Sequence, residues 1–191
     1  MIRLNLGCGA HSVKGWINID MHRGADVQPD YQGDITDRAF LAEVICIARI
    51  LWKREDRNKP SVDAVLVSHT LEHFEWSTDP LWMWVELLKP GGRFIAVVPD
   101  ALHSCQLADI GLIGKDWLVN IVFGMDRQGP RPELQHHRVY TPSILIKELR
   151  EHGLVSVQRV VKGQERWKEL VEEGIIHADI EEQIVCEGWK P

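Results

Sequence analysis

Three groups of residues in this chain have the types and spacing that chemistry needs. The first is a glycine-rich turn, Leu6-Gly7-Cys8-Gly9-Ala10, followed by Asp20. Glycines let a backbone approach a ligand with no Cβ in the way, and a carboxylate at the end of the next strand can accept both hydroxyls of a ribose. The pair fits nucleotide binding, and equally a tight turn with a strand-terminal aspartate. The second group, His69-Thr70-Leu71-Glu72-His73, spells H-x-x-E-H. In inverted zinc proteases two such histidines, one helical turn apart, hold the metal and the glutamate is the base. That chemistry requires a helix, whereas a buried-type strand ends at 67 and residues 77–80 open the next helix, so no metal is expected at His69, Glu72 and His73. The third group is the pair in Gln135-His136-His137-Arg138-Val139-Tyr140. It follows a Gly-Pro-rich break at 129–132, where a loop can fold over a reacting group, and an imidazole that titrates near neutrality is a natural base there.

The elements that must position these groups alternate between short β-rich runs and segments of helical period, the pattern of an α/β fold on a mostly parallel sheet. Residues 3–6 and 16–20 read as the first two strands. Only residues 7–15 lie between them, too few for a long crossover helix, so a compact loop or one helical turn must connect them. Short strands are expected near Val27 and at 33–35. A helix capped by Asp37 carries apolar residues at Phe40, Leu41, Val44, Ile45, Ala48 and Leu51, and stops before Asn58-Lys59-Pro60. The β-branched run 62–67 reads as a central strand. A helix from 77 to 88 ends at Pro90-Gly91-Gly92, before a strand at 93–98. Residues 101–135 are irregular apart from a helix at 117–123. A helix capped by Thr141 runs to His152, and strands follow at 154–161 and 183–189; the stretch 165–182 reads as a solvated helix. Trp82 and Trp84 cannot share a helix face, so one of them is expected to be exposed near an acceptor mouth or at a dimer contact.

Leu4-Asn5-Leu6-Gly7-Cys8-Gly9, Gly33-Asp34-Ile35, the run 65–74 through Ser68-His69-Thr70-Leu71-Glu72-His73-Phe74, and Leu87-Leu88-Lys89-Pro90-Gly91-Gly92 occur in that order. Together they resemble the motifs of class I S-adenosylmethionine-dependent methyltransferases over nearly the whole chain. The likeness is greatest to a small bacterial branch with an LGCG, GWINID, SHxLEHF and LKPGG signature, some of whose members are associated with polysaccharide synthesis. The resemblance implies a Rossmann-like α/β fold with helices on both faces of the sheet, a short first crossover and an antiparallel last strand. It implies that Gly7, Cys8 and Gly9 lie against the methionine part of S-adenosylmethionine, that Asp20 binds the ribose, and that Asp34 and Ile35 flank the adenine. Ser68, His69 and Leu71 would line the cofactor and acceptor side, with His69 and His137 as catalytic candidates. Asn5 stands where most of the family has Asp or Glu, which weakens a contact with the cofactor's ammonium, and the third glycine of the turn is replaced by Ala10-His11.

The chain of 191 residues suits one domain, 1–191, with 101–140 as a lid or acceptor-binding insertion. Its 22 lysines and arginines stand against 28 aspartates and glutamates, a net charge of −6, which disfavours nucleic acid and anionic membrane as partners. Four scattered cysteines without a C-x-x-C pair, and a start lacking the regions of a secretory signal, fit a cytoplasmic protein. The expected activity is methyl transfer from S-adenosylmethionine to a small-molecule or saccharide acceptor. A non-catalytic cofactor-binding module on the same fold and a zinc hydrolase using the H-x-x-E-H segment are the alternatives.

Overall fold

The computed structural model describes residues 1–51, 62–124, 135–176 and 183–191. Seven strands form one sheet: β1 (Arg3–Leu6), β2 (Ile17–Asp20), β3 (Tyr31–Gln32), β4 (Val62–Ser68), β5 (Leu88–Pro99), β6 (Val155–Val160) and β7 (Gln183–Trp189). Their order is β3-β2-β1-β4-β5-β7-β6; β7 runs antiparallel to both of its neighbours and the other pairings are parallel. This is the doubly wound, Rossmann-like α/β architecture, in which ligands sit beyond the carboxyl ends of the parallel strands.

The helices are α1 (Arg38–Leu51), α2 (Leu81–Leu87), α3 (Ala101–Asp109), α4 (Lys115–Phe123), α5 (Pro142–Glu151) and α6 (Glu165–Glu172), with 3-10 turns at Leu71–His73 and Trp76–Thr78. Because side chains alternate along a strand, the central strands feed two cores. Leu4, Leu6, Val65, Val67, Phe94 and Ala96 pack with α1, α2 and α5, while Leu66, Ile95, Val97 and Val185 pack with Trp16, Trp167 and Leu170. The Asp37 carboxylate accepts the backbone N–H groups of Ala39 and Phe40 at 2.8 and 3.2 Å and starts α1, which buries Leu41, Val44, Ile45 and Ala48. Leu51, expected on the same face, is exposed.

The connection from β1 to β2 contains no helix, and a buried amide network takes its place. Asn5 and Asn18 face one another in adjacent strands. The Asn18 Oδ1 accepts the Val13 N–H at 2.8 Å and the Asn5 Nδ2 at 3.0 Å, while its Nδ2 reaches the carbonyls of Val13 and Trp16, both at 3.3 Å, and Asp30 Oδ2 at 3.0 Å. The Asn5 amide donates to the His11 carbonyl at 2.9 Å. Two asparagines, a residue type poorly suited to strands, thus satisfy the loop's backbone groups, which would otherwise be buried without partners.

Other departures from the sequence reading have equally local causes. Near Val27 there is no strand, and residues 33–35 form a turn: the Asp34 carboxylate accepts the Thr36 N–H and hydroxyl, both at 2.7 Å, while the only pairing in this region is at Tyr31–Gln32. The 77–80 segment is a 3-10 turn ending in a loop, and α2 begins at Leu81, whose N–H donates to the Asp79 carboxylate at 3.0 Å. Pro90-Gly91-Gly92 lies inside β5 as an irregularity, since Leu88 pairs with Val62 before the register shifts to Arg93 opposite Ala64. A Cβ on Gly92 would come within 2.8 Å of the Lys89 carbonyl, which explains glycine there. The 101–109 stretch is helix α3, started by Asp100, whose carboxylate accepts the His103 N–H at 3.0 Å. The expected stop at 58–60, the break at 129–132 and the last residues of the 165–182 helix lie outside the described residues.

Candidate active site

A cleft of about 430 Å³ opens beyond the carboxyl ends of β1 and β4. The turn from Gly7 to His11 lines it together with Ser68 and His69; Ile175, Ile176 and Gln183 complete the lining. Gly7 sits at φ +68°, and a Cβ there would meet the Thr70 hydroxyl at 2.6 Å, so the turn after β1 and the turn after β4 touch only because position 7 is glycine. Gly9 sits at φ +50° with nothing within 4 Å of a built Cβ. Its N–H donates to Asp20 Oδ2 at 2.8 Å, and the His22 N–H donates to Asp20 Oδ1 at 2.8 Å, so Asp20 orients the glycine turn from the tip of β2. The His11 ring lies 2.9 Å from the Gly174 carbonyl and ties the turn to the segment carrying Ile175 and Ile176.

His69 is held at φ +51°, a conformation uncommon for any residue but glycine, and a marker of backbone held for a purpose when it falls in a cleft. Its N–H donates to the Val97 carbonyl at 2.8 Å, which fixes the turn to β5. The side chain is half-exposed, with Nδ1 3.5 Å from Oε1 of the fully buried Glu72. Burial by itself favours the neutral ring, but the Glu72 carboxylate and Gln183 outweigh it and hold the His69 pKa above the ordinary histidine range. A carboxylate behind an imidazole makes it the stronger proton acceptor. Burial and the neighbouring Asp20 push the Cys8 thiol up to about 11, so it stays protonated at neutral pH and is no nucleophile.

The segment returning from α4 is anchored beside this turn. The Glu72 carbonyl accepts the N–H groups of His137 and Arg138 at 2.7 and 3.1 Å. The Arg138 side chain is fully buried; Nη1 lies 2.8 Å from Glu148 Oε1, Nη2 donates to the Glu75 carbonyl at 2.7 Å, and the guanidinium covers the Trp76 ring at 4.5 Å. His136 is half-buried with its ring 4.9 Å from that of His73, whereas His137 is exposed and does not line the cleft.

Of the residues singled out from the sequence, Gly7, Cys8, Gly9, Ser68 and His69 come together in the cleft, and Asp20 supports it from behind. Asn5 and Leu71 are fully buried beneath it. Ile35 is buried and gives its carbonyl to the Trp84 indole N–H at 2.9 Å, while Asp34 is exposed in its own turn. Sequence reasoning missed Ile175, Ile176 and Gln183; the apolar pair behind Gly174, in an otherwise acidic stretch, was the available signal. It also missed Arg138 and Glu148, since nothing in a sequence says which exposed-type charges will be buried as a pair. Trp84 is buried and Trp82 is exposed, as their spacing requires.

No protein-family model matches the sequence, and comparison with curated proteins finds no significant match. Solved structures share the fold. A SAM-dependent methyltransferase from Archaeoglobus fulgidus superposes with a TM-score of 0.53 at 14% identity, covering 98% of this chain and 85% of that one. A SAM-dependent methyltransferase from Thermotoga maritima, described as a possible histamine N-methyltransferase, gives 0.54 at 13% identity, covering 100% and 82%. The S-adenosylmethionine-dependent methyltransferase SibL gives 0.50 at 17% identity, with this chain spanning 50% of its length. At these identities the likeness is one of fold. Among the described residues no helix is long and apolar enough to cross a membrane.

Proposed function

We propose that this protein transfers the sulfonium methyl of S-adenosylmethionine to a small-molecule or saccharide acceptor. The observation that carries the reading is the cleft between the glycine turn and Ser68-His69, at the carboxyl ends of β1 and β4, on a fold shared with methyltransferases. Its volume lies within the range of sites that enclose small molecules, about 300–1,000 Å³. The open space over Gly9 suits close approach of a ligand, and each Asp20 oxygen, holding one backbone N–H, keeps a lone pair for a ribose hydroxyl. The cofactor supplies a methyl already activated by positive sulfur.

What remains for the chain is placement and, for a hydroxyl or protonated amine acceptor, removal of a proton. Holding two reactants in line contributes on the order of 7–11 kcal/mol in favourable cases. His69, lining the cleft with Glu72 behind it, is the residue positioned to take the proton, and Glu72 stabilises the resulting imidazolium. Asn5 holds the first loop through its amide N–H groups, which donate to His11 and Asn18, while its Oδ1 takes no hydrogen bond. His137 would reach an acceptor only from the outer rim of the site. The described part of the 101–140 insertion supports a covering role: α4 carries no buried residue, and Trp117, Val119 and Phe123 are exposed apolar groups available to close over a ligand.

Calorimetry is expected to show S-adenosylmethionine and S-adenosylhomocysteine each binding once per chain, and absence of binding by both would overturn the reading. Turnover separates the enzyme from a non-catalytic module: His69→Ala is expected to bind S-adenosylhomocysteine within a few-fold of wild type yet to lose about 10²–10⁴-fold in methylation of a hydroxyl acceptor. Amide exchange in α3 and α4 is expected to slow when S-adenosylhomocysteine and an acceptor are added together. Slow exchange without ligand, unchanged by its addition, would make these helices ordinary scaffold.

A further inference from the structure

Glu72 presents a problem that the cleft does not solve. Its side chain is 1% exposed, and neither carboxylate oxygen has a hydrogen-bond partner. The His69 Nδ1 stands 3.5 Å from Oε1, beyond an ordinary hydrogen bond. A buried carboxylate in that state is costly unless it is paired or coordinates a metal.

Two imidazoles face the same spot from different parts of the chain. One ligand atom from each of Glu72, His73 and His136 can be chosen so that all three lie within 4.8 Å of one another. His73 Nδ1 is 3.2 Å from the Gln135 carbonyl, which can only accept, so Nδ1 is the donor and in the neutral ring Nε2 is the nitrogen free to ligate. A metal-bound histidine is normally held in this way, its other nitrogen donating to a backbone carbonyl or carboxylate. We infer that Glu72, His73 and His136 form a binding site for a divalent transition metal of the zinc type.

The donor set fits that class. Two imidazole nitrogens and one carboxylate oxygen suit zinc, and a three-residue set leaves a fourth position for water, consistent with the partial exposure of both histidines. Bonds of about 2.0–2.1 Å would draw the three donors toward a tetrahedral arrangement from their present spacing, a movement that side-chain rotation can supply. The set is not the one that the H-x-x-E-H spelling suggests, because His69 belongs to the cleft and His136 replaces it. It therefore departs from the sequence expectation of no metal at this turn. Such an ion would join the turn after β4 to the segment returning from α4, alongside the two bonds that the Glu72 carbonyl already accepts.

The test uses the full chain stripped with EDTA and titrated with zinc chloride, read by calorimetry and elemental analysis, and with cobalt(II) chloride, read by visible absorption. One zinc per chain is expected, with a rise in melting temperature on binding, and cobalt should give the intense visible bands of a tetrahedral site. His136→Ala and Glu72→Gln are expected to weaken binding at least tenfold and to abolish the tetrahedral cobalt spectrum. His22→Ala, on an exposed residue far along the chain, should leave both unchanged. Absence of stoichiometric zinc in the wild type would overturn the inference. So would retention of full zinc affinity and an unaltered cobalt spectrum in folded His136→Ala, which would place the ion elsewhere.

Discussion

Arg138→Met is expected to destabilise the folded chain by about 3–5 kcal/mol, because removing one partner of a buried ion pair leaves the other charge uncompensated. The side chain of Arg138 is fully buried against Glu148 at 2.8 Å and Asp79 at 3.5 Å, so both carboxylates lose a counter-ion at once. The loss has a pH signature. Burial, against the opposing effects of Tyr140 and Arg138, holds the Glu148 pKa above the ordinary carboxylate range. A raised folded value means that Glu148 favours the fold most at low pH, and that this contribution is lost as pH rises through the folded pKa. Without Arg138 that value rises further. Asp79 runs the other way: burial is outweighed by His152, the Leu81 N–H and Arg138, its pKa is lowered, and its stabilisation is present above the ordinary carboxylate pKa and lost as pH falls through the folded one. Removing Arg138 erodes that stabilisation at neutral pH. The Asp79 loss is the same at both values, since each lies above its pKa, so it is Glu148 that makes the deficit of Arg138→Met in denaturant unfolding larger at about pH 8 than at about pH 5. A deficit independent of pH would show that the guanidinium matters here through its neutral contacts, the Glu75 carbonyl and the Trp76 ring, rather than through the two carboxylates.

Asp20→Ala is expected to weaken S-adenosylhomocysteine binding by roughly ten- to a hundredfold, the equivalent of one charged hydrogen bond of about 1.5–3 kcal/mol. Two contributions combine in this figure, the ribose contact proposed for Asp20 and the orientation of the glycine turn through the Gly9 and His22 N–H groups. They separate experimentally. Asp20→Asn keeps one acceptor oxygen and should lose less affinity than alanine does. In Asp20→Ala the amides of Gly9 and His22 should exchange faster even without ligand, since their acceptor is gone. Calorimetry showing unchanged affinity in a folded Asp20→Ala variant would remove Asp20 from the binding site.

Strand and helix identity was legible wherever local pattern and burial agree. The unbroken β-branched run of β4, the apolar face of α1 and the Thr141-Pro142 start of α5 each reflect an environment so uniform that the residue types report it directly. That the glycine turn and Ser68-His69 line one cleft was legible for a related reason: the turns that follow parallel strands converge on one end of the sheet once the strand order is known. Where a side chain's role depended on a distant partner, the sequence was silent. Asn5 reads only as a weakened cofactor contact, and its second job, tying the first loop through Asn18 and His11, shows only in the fold. Glu72 and His73 read as half of a rejected zinc motif until His136 is brought back beside them. By itself the sequence determined the order of the central strands and of α1, α2, α4 and α5, the remodelled first loop and the turns from which a cleft had to be built. Only the tertiary structure decided that Ile175, Ile176 and Gln183 complete that cleft and that Arg138 and Glu148 are buried together. It also singled out His136, rather than His137, as the ring that meets the turn after β4. The physical reason is range. Propensity and periodicity act over a few residues, whereas pairing of buried polar groups is settled by which segments the packed sheet brings within 3 Å of one another.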